Sequence, residues 1–118
     1  AARGGKKSKG YQYSGSDDAS KVAWYNSNIK RVGTKAANEL NIYDMSGNVW
    51  EWCWDWYDAS YYSLSPDQDP RGPGSGTQRV LRGGGWNDND SYYRVANRSF
   101  NNPFSSFNYG FRVVRAIF

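Results

Sequence analysis

The sequence predicts one small domain of short strands and long irregular connections, packed around aromatic rather than aliphatic side chains. Three observations predict it. A chain of 118 residues can bury a single core but not two. Aromatic residues make up 18% of it, yet its mean hydropathy is strongly negative, so Trp, Tyr and Phe must build that core with little aliphatic help. Thirteen glycines and many turn-forming residues leave no room for long helices.

The elements follow in chain order. Residues 1–20 are Gly, Ser, Lys and Tyr with an SGSDD cluster, which predicts a loop or a short edge strand around Tyr11 and Tyr13. Val22 to Tyr25 is a brief strand or a turn of helix, and Ile29 to Leu40 is irregular around Gly33. From Trp50 to Trp56 a tryptophan stands at every second position, with Glu51, Cys53 and Asp55 between. A strand places all four indoles on one face, whereas a helix would scatter them. Tyr57 to Gly76 carries Pro66, Pro70, Gly72 and Pro73 and reads as a surface loop. QRVLR at 78–82 alternates into a strand, and GFRVV at 110–114 is the closing strand, expected to pair inside the sheet. The expected core is Trp50, Trp52 and Trp86 with Phe111 and Val113.

Composition excludes several chemistries. Cys53 is the only cysteine and there is no histidine, which rules out an intrachain disulfide and removes the commonest ligand and general base. The net charge of +4 owes much to Arg3, Lys6, Lys7 and Lys9. Such a tail is ordinarily solvated, so nucleic-acid binding is not expected. No apolar run reaches membrane-spanning length, and membrane insertion by this segment is not expected. With no initiating Met and no signal-like apolar region, Ala1 reads as a processed or truncated start, with any targeting sequence upstream.

The stretch from Asn87 to Tyr109 has a restricted alphabet. Apart from Arg94, Val95, Ala96, Arg98 and Pro103, every residue is Asn, Asp, Ser, Tyr or Phe. An Asn codon becomes any of the other four when only its adenines are replaced. The same residues suit recognition, since Tyr and Phe give rigid contact area while Ser and Asn give short adaptable hydrogen-bonding groups. The candidate ligand-binding residues are Asn87, Asp88, Asn89, Asp90, Ser91, Tyr92 and Tyr93, then Ser99, Phe100, Asn101 and Asn102, then Phe104, Ser105, Ser106, Phe107, Asn108 and Tyr109. Their side chains are expected to face solvent and converge on one surface, while Arg94, Val95, Arg98 and Pro103 serve the scaffold. The alternative is an Asn- and Ser-rich loop with scattered aromatics.

YDMSGNVWEW at 43–52, RVLRGGGW at 79–86 and GFRVVR at 110–115 together resemble the formylglycine-generating enzyme and sulfatase-modifying-factor domain. The resemblance implies an α+β, C-type-lectin-like fold with little regular secondary structure. It also implies that residues 1–118 are the C-terminal half to two thirds of the usual domain. Within that family the Asn-derived palette between RGGGW and GFR resembles the variable proteins of diversity-generating retroelements, whose C-terminal segment is rewritten at template adenines. The implied function is ligand binding by a hypervariable surface, with a protein or cell-surface ligand and a location on a cell surface, outside the cell or on a phage particle.

The family's copper-dependent enzymes use a cysteine pair just beyond the GG-S/G-W/Y motif, and an iron type uses histidines. Asn87 to Arg98 holds neither, so no copper or iron and no catalysis are expected. A family enzyme and a non-catalytic member with a fixed partner are the alternatives. The resemblance further implies a structural Ca2+ held by the side chains of Asp44 and Glu51 and the carbonyls of Gly47 and Val49, a hard-oxygen set suited to that ion. The alternative there is that Asp44 caps the SGN turn while Glu51 pairs with an arginine.

Overall fold

In the computed structural model, which describes residues 1–26 and 28–115, four short strands form one sheet. Strand β1 is Trp50–Trp56, β2 is Arg79–Arg82, β3 is Ser99–Asn101 and β4 is Tyr109–Phe111. Single-turn helices complete the described regular structure: α1 (Ala19–Val22), α2 (Tyr61–Leu64), α3 (Asp90–Tyr93) and a 3-10 turn at Gly5–Lys7. Asp18 starts α1 by accepting the Ser20 N–H, and Asn89 starts α3 by accepting that of Ser91. None of the helices is long and apolar enough to cross a membrane.

The indole alternation sets β1 at the centre of the sheet, whose order is β3-β2-β1-β4. β1 and β2 are antiparallel, as are β2 and β3, while β4 lies parallel to β1. Trp52 faces Leu81 on one side and Phe111 on the other, so these share a face, and Glu51, Arg82 and Gly110 share the opposite one. Further along, Trp56 faces Arg79, so β1 advances four positions while β2 advances two. At this irregularity the Arg79 guanidinium lies over the rings of Trp54 and Trp56 and donates to the Trp54 carbonyl.

The closing strand is an edge, not an interior strand. β4 pairs with β1 alone, and beyond Phe111 the chain runs on without a further partner strand among the described residues. Phe111 and Val113 are therefore 76% and 87% exposed, and neither belongs to the core. Trp50, Trp52 and Trp86 are half-buried rather than central.

The buried cluster lies off the sheet, where Tyr93 packs with Tyr13, Ala19, Val22 and Ala23. Tyr93 is wholly buried because Gly84 lets it in: a Cβ there would stand 2.6 Å from the Tyr93 ring, and the Gly84 backbone is left-handed. Around this cluster buried polar groups replace aliphatic packing. Ser46 donates to the Tyr93 carbonyl at 2.8 Å and accepts from Ser14 N–H at 3.1 Å. Asn38 donates to Ala1 O and Ser14 Oγ while its Oδ1 accepts from Leu40 and Ile42. Fully satisfied networks of this kind hold irregular chain in one arrangement.

Candidate functional site

The segment between β2 and β4 is held at both ends and in its middle. At its start, Asp88 Oδ2 accepts from Gly85 N–H at 2.8 Å and from the Trp50 indole at 2.6 Å. The Tyr93 hydroxyl donates to the Gly85 and Asp88 carbonyls. In the middle, Val95 N–H donates to Gln12 O and Arg98 donates to Asp58 O at 3.0 Å, whereas Arg94, whose Nε donates to Ser91 O within the segment, and Pro103 are exposed, so the scaffold role expected of all four holds for the first two. At the end, Tyr109 crosses Trp52 edge to face at 5.0 Å between centroids and its hydroxyl accepts from Asn101 Nδ2 at 2.6 Å.

The candidates divide by environment. Asn87, Asn89, Asp90, Ser91, Tyr92, Phe100, Asn102, Phe104, Ser106 and Phe107 are exposed, with Phe104 at 94% and Phe107 at 63%. Asp88, Ser99, Asn101, Ser105, Asn108 and Tyr109 are half-buried. Tyr93 is not a surface residue at all, because it fills the space above Gly84, and burial with the nearby Asp88 and Asp90 charges pushes its hydroxyl well above the ordinary tyrosine range. Nor do all the exposed aromatics converge. Ser99 pairs with Leu81 and Phe100 with Val80, so strand alternation turns Phe100 to the face opposite Trp52, where it stacks on Tyr57 at 3.9 Å.

One contribution escaped the sequence reading. Trp50 meets Tyr92 edge to face at 5.8 Å, as Trp52 meets Tyr109, so these two β1 indoles lie under the candidate segment rather than in the molecular core. The available signal was numerical: a chain this short has too small an interior for four strand indoles at alternate positions.

A groove of about 860 Å3 lies elsewhere, lined by Glu51, Trp52, Cys53 and Trp54 of β1 with Arg82, Arg112, Val113 and Val114, and none of the seventeen candidates lines it. Its thiol, Cys53, is half-buried, and burial together with Asp55 pushes it up to about 11. A neutral thiol is a poor nucleophile and a poor metal ligand.

The residues proposed for calcium are already engaged. Glu51 Oε2 accepts from Arg112 Nε at 2.6 Å, and Arg112 Nη2 donates to the Asp44 carbonyl at 2.8 Å. The Asp44 carboxylate accepts from Gly33 N–H at 2.7 Å and does not cap the SGN turn. Gly47 keeps its tight turn because a Cβ would stand 2.8 Å from Ala23 Cβ. Arg112 thus engages the Glu51 carboxylate and Gly33 N–H the Asp44 carboxylate, so each acidic side chain already has a partner within the chain as arranged. The arginine pairing of Glu51 is the arrangement present.

Short strands bearing aromatic side chains, joined by long irregular connections, define a C-type-lectin-like α+β domain of the formylglycine-generating-enzyme type. The sulfatase-modifying factor enzyme 1-like domain matches residues 1–117, and the chain belongs to that family. It is similar to Treponema denticola variable protein 1, with a TM-score of 0.77 and 33% identity over 93% of this chain and 41% of that one. It is also similar to the formylglycine-generating enzyme of Streptomyces coelicolor, 54% identical over 79 residues, covering 64% of this chain and 25% of the enzyme. The serine/threonine-protein kinase Pkn1 of Chlamydia trachomatis serovar L2 is 40% identical over 121 residues, 99% of this chain and 20% of the kinase. The chain thus spans a quarter or less of the length of these two curated relatives.

Proposed function

We propose that this chain is a ligand-binding module of the variable-protein type, presenting a diversified surface on a fixed C-type-lectin-like frame. The observation that carries the reading is the division within Asn87 to Tyr109. Of the residues outside the Asn-derived alphabet, Val95 and Arg98 make frame contacts while Arg94, Ala96 and Pro103 are exposed, and ten of the seventeen candidates inside it are exposed. Exposed rings such as Phe104 and Phe107 are a liability in an inert protein and anchors in a binder. The proposed ligand is a protein or cell-surface molecule, met at a cell surface, outside the cell or from a phage particle.

A second reading, a family enzyme, is favoured by the 54% identity to a formylglycine-generating enzyme. Against it stand the absence of Cys and His from Asn87 to Arg98 and the protonated Cys53. Sequencing the locus tests the proposal. A near-copy of the segment coding for 83–115, with Asn codons at positions now Asp, Ser, Tyr or Phe, is expected beside a reverse transcriptase gene. A locus with neither would replace the proposal by a family member with a fixed partner.

A further inference from the structure

A cationic cluster stands at the end of β2, where Arg82 lies on the sheet face opposite Trp52. Arg71 from the long connection, Arg82 at the end of β2 and Arg98 before β3 converge on a cleft of about 320 Å3 with Tyr61, Tyr62 and Asp55. Two of the guanidiniums are fixed by neutral groups. Arg82 donates to the carbonyls of Ala96 and Asn97 at 3.3 and 2.7 Å and to the Tyr62 hydroxyl at 3.1 Å. Arg98 lies over the rings of Tyr57 and Tyr62, 4.7 and 4.3 Å from their centroids, besides its bond to Asp58 O. Arg71 is exposed on the cleft's rim.

None of the three stands in an ion pair among the described residues, although the Asp58 carboxylate, lowered first by its hydrogen bonds from Ser60, also feels the Arg98 charge, which helps to lower it. Among the described residues the ion pairs are Lys21 with Asp18 and Arg112 with Glu51. The Asp58 carboxylate is turned to Ser60, whose N–H and hydroxyl it accepts at 2.7 Å each, which leaves Asp55 as the acid lining the cleft. A guanidinium carries five donors in a planar fork suited to oxyanions, and carbonyls and ring faces occupy only some of them here. Stacking also restricts the side chains before any ligand arrives, so less freedom is lost on binding.

We propose that this cleft is an anion site that binds a phosphate or sulfate ester group through Arg71, Arg82 and Arg98. The site is independent of the variable-surface reading, since none of the seventeen candidates lines it. Its ligand is a singly esterified tetrahedral oxyanion, and the direction of preference between phosphate and sulfate distinguishes the two sources.

Isothermal titration with phenyl phosphate and phenyl sulfate, at matched ionic strength and with sodium chloride as control, tests the site. Saturable binding of at least one ester is expected. Arg71→Gln, an exposed position whose loss does not threaten the fold, should weaken it about tenfold, and Arg98→Gln at least as much. Arg3→Gln, outside the cleft, should leave it unchanged. The absence of saturable binding, unchanged affinity in Arg71→Gln, or an equal loss in Arg3→Gln would overturn the proposal.

Discussion

Tyr93 shows how far a residue's role can depart from its neighbours' composition. It sits among Asn, Asp, Ser and Tyr, yet the glycine at 84 admits its ring and two backbone carbonyls hold its hydroxyl. Tyr93→Phe should keep the ring packing and leave those carbonyls without their donor, a loss of about 1–3 kcal/mol in urea unfolding. Cys53 supplies a second test. Its thiol is raised from 9.0 to about 11, so the folded protein holds the proton between those values while the unfolded chain releases it. Stability contributed by the neutral thiol is therefore fully present below pH 9 and declines as pH rises toward 11. Iodoacetamide labelling of the folded protein at pH 8 should accordingly be much slower than labelling in urea; equal rates would place Cys53 in water. The partial burial of Cys53 agrees with what a lone cysteine in a tryptophan-rich strand suggests, whereas the role of Tyr93 could not be read from the sequence because it depends on what lies opposite in space.

At the scale of elements, strands β1 and β2 were legible and the placement of the closing strand in the sheet was not. Alternating indoles from Trp50 to Trp56 mark a strand because no helical spacing puts them together, and the strand has those bounds. QRVLR likewise became β2. The placement of GFRVV was missed because a short apolar alternation is equally consistent with an interior and an edge strand. Its parallel pairing with β1 depends on the path of the whole chain. That pairing is reinforced by Arg112, just beyond β4, reaching Glu51 on β1 and the Asp44 carbonyl. Arg112→Gln should lower the melting temperature while EDTA leaves the parent unchanged. An EDTA-induced fall in the parent would show that a cation, not Arg112, holds these acidic residues.

For the whole molecule, buried and exposed residues alternate within one segment, and the proposed function assigns display to the exposed ones. The palette of the candidate surface was readable in the sequence, since its restricted alphabet is a property of composition. Its division into buried, indole-contacting and exposed members was not, because Tyr93, Tyr109 and Phe107 differ only in what the fold puts beneath them. If the exposed members carry recognition alone, they can change without cost to the fold. Surface substitutions of this kind ordinarily stay within about 0.5 kcal/mol each. The most direct measurement is thermal unfolding of variants in which Phe104 and Phe107 are replaced together by Asn, Asp, Ser or Tyr. Every combination should melt within roughly 5 °C of the parent, given about 4 °C or more per kcal/mol for a domain near this size. A loss of cooperative unfolding, or a fall well beyond that range in most combinations, would make these rings part of the core and contradict a surface built to vary.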